Sequence, residues 1–303
     1  MRIFVTGGTG FVGTALVPFL LSSGHSVRLL VRPGERRLPG APELEVVDGD
    51  PTHPGSWMEA VGGCDAAINL AGAPIFGRWS EQTKRLIRDS RISTTRHLVE
   101  AIPEGEHFVL LSTSAVGIYG DAGERELDED APLGTDFLAQ VARDWEAEAL
   151  RAREKGARTV IARFAIVFGP GGGALEQLTK ATHRFAGGPI GGGRQWVSWI
   201  HRTDLVRALL FLAEARDREG VFNLSSPNPA RQIEVARAIG RLLHRPAMLP
   251  APAFAVRLVL GEFANAVLFS QRMIPRRLQE AGFSFRFPDL EGALLDAMVH
   301  QSA

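Results

Sequence analysis

Two groups of residues in this chain have the types and spacing for chemistry. Ser112, Thr113 and Ser114 follow an apolar run at 108–111, and Tyr119 with Gly120 comes shortly after. Hydroxyls at the carboxyl end of a central strand lie at the crevice where parallel sheets bind ligands, within reach of a reacting oxygen. The second group is Gly7, Gly10 and Gly13 in MRIFVTGGTGFVG, spaced three apart. Ile3, Phe4 and Val5 before them suit a strand buried on both faces, and after them Leu16, Val17, Phe19, Leu20 and Leu21 recur at helical intervals up to Gly24. Glycines in a strand-to-helix turn let the backbone approach a pyrophosphate, which then meets the positive end of the helix dipole. A plain tight turn would also use glycine, but strand, turn and helix in this order select dinucleotide binding.

Elements that position these residues follow in alternation. Strands are expected at 26–31, 44–47, 66–70, 108–111, 159–164 and 221–224. Amphipathic helices are expected at about 80–101, with Leu86, Ile87, Ile92, Leu98 and Val99 inward, at about 136–154 and at 233–243. Alternation of this kind gives right-handed crossovers and an α/β, doubly wound parallel sheet of the Rossmann type. The length suits one large domain or a nucleotide domain with a smaller partner, here expected as a mostly helical C-terminal substrate domain. The expected division is 1–168 plus about 198–225 for the nucleotide-binding domain, and about 169–197 plus 226–303 for the smaller one. Trp196, Ser198 and Ile200 alternate as a strand, with Thr203 as N-cap of the next helix and Asp204 favouring its first turn.

The second strand ends in Arg32, with Arg36 and Arg37 close behind and no carboxylate before Glu35. An NAD site normally places an acid here, whereas arginine suits the extra phosphate of NADP(H), so NADP(H) is the expected cofactor. Small residues at Leu70, Ala71 and Gly72 let the backbone pass close to a ribose or phosphate. The expected cofactor site comprises Thr6, Gly7, Gly10, Phe11, Val12, Gly13, Arg32, Asp50, Leu70, Ala71, Gly72 and Arg163.

The chain has 303 residues, 45% of them hydrophobic, enough for a sizeable core, and its formal charge balances to zero. Neither nucleic acid nor an anionic membrane is therefore expected as a main partner. Cys64 is the one cysteine, which excludes a disulfide framework and a cysteine metal cage, and no metal site is expected. With no signal peptide before Ile3 and no apolar run of membrane-spanning length, the expectation is a cytoplasmic protein, monomeric or homodimeric, acting on a small molecule.

The TGGTGFVG wording resembles the extended short-chain dehydrogenase/reductase family. That resemblance implies an aspartate facing the adenine at Asp50, and at Ser114 a hydroxyl that bonds the reacting oxygen, although one extra residue separates Ser114 from the Tyr-Gly pair. It also implies a tyrosine and a lysine four residues apart on the following helix, and here the chain departs from the pattern. Tyr119 is the one tyrosine, Gly123 stands four beyond it, and Phe137 and Val141 occupy the expected positions. Ser114 and Tyr119 remain the candidate catalytic residues, with Asp136, Arg163 and His201 as further polar residues that could substitute as acid or base, and Trp196 or Trp199 is expected in the pocket wall. INLAGAPI, RWSEQTKRLIRDSRISTT, DFLAQVARDWE, GGRQWVSWIHRTDL, FNLSSPNP and PRRLQEAGFSFRFP together resemble the "epimerase family" proteins, an atypical branch in which the missing pair is normal. Two functions stay open: an oxidoreductase or epimerase-like enzyme, and a catalytically silent NADP(H)-binding redox sensor.

Overall fold

The computed structural model describes residues 1–35, 38–105, 107–185, 187–247 and 249–299. Seven strands form one parallel sheet: β1 (Arg2–Thr6), β2 (Ser26–Val31), β3 (Leu44–Asp48), β4 (Ala66–Asn69), β5 (Val109–Ala115), β6 (Arg158–Phe164) and β7 (Gly220–Leu224). Their spatial order is β7-β6-β5-β4-β1-β2-β3, so the chain winds one way from β1 to β3 and the other way from β4 to β7. Parallel neighbours demand crossovers, and helices cover both faces. That buries the strands on both sides, which is why β1 and β4 read as unbroken apolar runs.

The helices that shape the site are α1 (Gly13–Ser22), α2 (Glu81–Ala101) and α3 (Phe137–Leu150). Ser80 caps α2 by accepting from the Thr83 amide, and Asp136 caps α3 by accepting from Leu138 and Ala139. Ile87, Thr94, Thr95 and Leu98 form the buried stripe of α2. Leu86 departs from expectation: it is 59% exposed, because a residue next to Ile87 is turned about 100° around the helix.

Beyond the sheet lie α4 (Gly173–His183), α5 (Arg202–Glu214), α6 (Gln232–Leu242), α7 (Ala253–Leu260), α8 (Ala264–Leu268), α9 (Arg276–Glu280) and α10 (Leu290–Val299). The strand expected across Trp196 to Ile200 is two short pieces. Trp196–Val197 pairs antiparallel with Ala230–Arg231, and Trp199–His201 pairs parallel with Ile166–Phe168. His201, not Thr203, caps α5, its Nδ1 accepting from the Thr203 amide at 3.2 Å. No described helix is long and apolar enough to cross a membrane, and no group of His, Cys, Asp or Glu among the described residues could hold a metal ion.

Candidate active site

At the turn from β1 into α1, Gly7 has φ +69, and a Cβ there would lie 2.7 Å from the Leu70 carbonyl carbon, so the loop passes directly over the end of β4. A Cβ on Gly13 would overlap Gly8 Cα, which fixes how closely α1 meets the loop. No side chain caps α1 and no acid stands in its first turn; the Thr14 and Ala15 amides bond the Gly10 and Val12 carbonyls, which leaves the amides of Phe11, Val12 and Gly13 to face an anion. This glycine cradle with an uncapped helix end fits the pyrophosphate of a dinucleotide.

The other expected cofactor residues divide. Gly7, Gly10, Phe11, Val12, Gly13, Leu70 and Gly72 line the cavity described below, and Ala71 backs Gly7. Thr6 is fully buried and donates to Asn69 Oδ1 at 2.7 Å, so its hydroxyl ties β1 to β4 instead of reaching into the crevice. Although burial opposes it, the Asp50 carboxyl is held below its ordinary range, because it accepts from the Thr52 amide and hydroxyl. Arg32 is exposed, pairs with Glu35, and Glu35 in turn accepts from Thr9 in the glycine loop at 3.1 Å. Arg32 thus stands beside the loop, where an adenosine phosphate would compete with Glu35 for it. Arg36 and Arg37 lie outside the described residues.

From the glycine loop a cavity of about 560 Å³ runs to Thr113 and Ser114 at the end of β5 and on between α2, α3 and the segment Glu262 to Phe269. Its far end is aromatic. Trp79 packs edge-on against Phe137 with ring centres 5.3 Å apart, and Phe263 lies 5.8 Å from Trp79 and 5.9 Å from Phe76. Phe137 and Val141, which stand where a tyrosine and a lysine were expected, both face this cavity. An apolar surface therefore replaces the usual proton-transfer pair.

Behind Ser114 the polar groups converge. β5 and β6 pair with Ser114 beside Arg163, so both side chains leave the sheet on one face, toward α3. Ser114 Oγ donates to Glu146 Oε1 at 2.6 Å, and Arg163 grips the same carboxylate with Nε at 2.8 Å and Nη2 at 2.9 Å. Burial alone would lower the Arg163 pKa, but Glu146 and Tyr119 outweigh it and hold it raised. Arg163 Nη1 also donates to Tyr119 Oη at 2.9 Å, and the phenol hydrogen is shared between Asn223 Oδ1 at 2.7 Å and the Asp128 carbonyl at 3.0 Å.

This network corrects two expectations. Arg163 is spent on a buried carboxylate and a phenol, away from the cavity wall, so it is no cofactor ligand here. Tyr119 is 3% exposed and outside the cavity, and burial pushes its pKa up to about 12. A phenol so placed cannot exchange a proton with a molecule in the cavity. Ser114 is itself fully buried, but unlike Tyr119 it lies in the cavity wall.

A family model described as the NAD dependent epimerase/dehydratase family matches residues 3–225, and one described as a domain of unknown function, DUF1731, matches residues 251–297. The chain belongs to the NAD-dependent epimerase/dehydratase family. Within it, the chain is 40% identical over 301 residues to the chloroplastic epimerase family protein SDR39U1 homolog of Arabidopsis thaliana, covering 97% of this chain and 86% of that one. It is 38% identical over 311 residues to the mouse epimerase family protein SDR39U1, covering 99% and 100%. Among solved structures, human SDR39U1 crystallised with NADPH superposes with a TM-score of 0.85 at 35% identity, covering 98% of this chain and 99% of that one. The Rossmann fold, the atypical short-chain dehydrogenase/reductase character and the C-terminal extension are thus features this family member shares with its relatives.

Several site residues escaped sequence reasoning. Trp196 and Trp199 do not line the cavity. Trp196 Nε1 donates to Glu124 at 3.0 Å, and Trp199 is buried against Phe168 with its indole bonded to the Asn228 carbonyl. The cavity's tryptophans are Trp79 and Trp145. Trp145 Nε1 donates to Thr95 Oγ1, which also accepts from Asn69, joining α3, α2 and β4. Glu146 had a sequence signal: an acid on the inward face of α3, four residues beyond the buried Ala142. Asp204, expected only to favour a helix start, is fully buried and accepts from the Arg286 and Phe287 amides at 2.8 and 2.7 Å.

Proposed function

We propose that this protein is an NADP(H)-dependent oxidoreductase or epimerase-like enzyme acting on a small molecule held in the cavity between the end of β5, α3 and the Glu262 to Phe269 segment. The observation that carries this reading is that Ser114 lies in the wall of the same cavity as the glycine loop while its hydroxyl hydrogen is directed to Glu146. The NADPH bound by the human relative supports the choice of cofactor, as does Arg32 at the end of β2.

NADPH in the crevice would supply hydride to a carbonyl carbon, and water would supply the proton to its oxygen, giving an alcohol and NADP⁺. Ser114 lines the cavity and gives its hydrogen to Glu146, so its oxygen would act as an acceptor for a substrate hydroxyl beside β5. Glu146, clamped by Arg163, receives the serine hydrogen and holds the hydroxyl in one orientation. Phe137, Trp79 and Phe263 exclude water from the far end.

The test is purified protein with NADPH and a broad panel of carbonyl compounds, followed by loss of the reduced cofactor. Turnover of one panel member is expected, together with loss of that turnover in Ser114→Ala and no NADPH binding in Gly10→Val. The Gly10 substitution is informative because its first added carbon would press only on the Gly7 carbonyl, at 3.2 Å, leaving the fold intact while filling the approach to the pyrophosphate. Normal cofactor binding with no turnover across the panel would instead favour a redox sensor, a reading supported by the withdrawal of Tyr119 from the cavity. A sensor requires different conformations with NADPH and NADP⁺, which limited proteolysis would reveal.

A further inference from the structure

Arg91 lies in the wall of this cavity, on α2 one turn beyond Ile87. Its Nη1 donates to the Ile87 carbonyl at 2.9 Å, its guanidinium carbon is 5.4 Å from the centre of the Trp145 ring, and a Cβ on Gly72 would approach that carbon to 3.2 Å. A glycine at 72 is what makes room for it. Among the described residues no carboxylate pairs with Arg91, whereas Arg88 and Arg96 on the same helix reach Asp144 and Glu148. Burial alone brings the Arg91 pKa down to about 10, with no acid to offset it.

The carboxylates that share the cavity are engaged elsewhere. Glu262 Oε2 accepts from Lys84 at 2.7 Å, and Asp136 caps α3. Arg91 therefore holds a positive charge at an apolar wall with most of its donors unmatched by the protein, an arrangement that is costly unless an anion arrives.

We propose that Arg91 binds the carboxylate or phosphate group of a small molecule whose apolar body lies against Trp79, Phe137 and Phe263. The substrate class is then an acid with an aromatic or alicyclic body. This rests on the preceding reading in taking the cavity as the ligand site, but it does not require turnover. The same guanidinium chemistry could serve the cofactor's pyrophosphate. The uncapped start of α1 already provides for that group, which favours the substrate.

The test measures binding calorimetrically on the NADPH complex with 2-naphthoate and with the neutral 2-naphthamide as probes. Wild type is expected to bind the acid roughly ten-fold more tightly than the amide, a preference that Arg91→Met abolishes and Arg91→Lys retains in part. NADPH affinity is expected to stay within about two-fold in both variants. Equal affinity for the two probes in wild type, failure of 2-naphthoate to bind, or an undiminished preference in Arg91→Met would overturn the assignment. A large loss of NADPH affinity in Arg91→Met would overturn it in favour of the cofactor's phosphates. Should Arg91→Met not fold, Arg91→Lys against wild type gives the same comparison. Selective acid binding without any carbonyl turnover would remove the enzymatic reading and leave this one standing, and turnover without acid selectivity would do the reverse.

Discussion

Glu146 decides what Ser114, Tyr119 and Arg163 can do. One carboxylate accepts from the serine at the cavity wall and from a buried guanidinium, and that guanidinium in turn holds the phenol. The phenol's partners are all internal, so its part is to complete a buried network. Tyr119→Phe leaves Arg163 and Asn223 each short of a partner and should cost about 1–3 kcal/mol of stability, read from urea unfolding. Cofactor affinity and any turnover found with wild type should persist in that variant. Loss of turnover with unchanged stability would show instead that the hydroxyl takes part in the reaction. From the sequence, Tyr119 looked available because a lone tyrosine after a strand-end serine invites that role. What it could not show was that β5, β6 and β7 place Arg163 and Asn223 on either side of the phenol, since that juxtaposition spans 104 positions of chain between Tyr119 and Asn223.

At the level of elements, the strands and the glycine turn were legible because their signals are local. An apolar run flanked by Gly or by a helical repeat marks β1, β2 and β4 without reference to anything distant. Helical periodicity also picked out Ile87 and Leu98 as inward residues of α2. It cannot say whether an inward residue meets packed core or an open cavity, and for that reason Arg91 and Trp145 went unnoticed as wall residues. The same limit hid the contact that spans the cavity's edge, where Lys84 on α2 pairs with Glu262 and lies 4.9 Å from the centre of the Phe137 ring. This pair is half exposed, so Lys84→Ala should change stability by less than about 1 kcal/mol. It joins α2 to the segment that roofs the aromatic end of the cavity. Its removal should therefore speed NADPH release by roughly several-fold in stopped-flow displacement, as expected when a closing element is loosened. An unchanged release rate would show that the roof is held by its aromatic packing alone.

Across the whole molecule, the C-terminal segment is tied to the sheet domain through buried polar contacts near the start of α5. Asp204 receives two backbone amides of that segment, and His201 packs its ring 4.0 Å from Phe287 with Nε2 3.3 Å from Asp296 on α10. Burial lowers the His201 pKa; Asp296 and Asp204 oppose that shift, and Arg202 and Arg286 add to it. Below about pH 6.5 the unfolded chain therefore takes up a proton at this position that the folded chain resists. The unfolded state then binds more protons, so stability rises with pH through this window and is lost on acidification. His201→Asn keeps a side-chain acceptor for the Thr203 amide at the start of α5 and removes the titrating ring. Urea midpoints measured from about pH 7.5 down to about pH 5 should fall more steeply for wild type than for this variant. Parallel curves would mean that the contacts at Asp204 hold the C-terminal segment in place whatever the charge on His201.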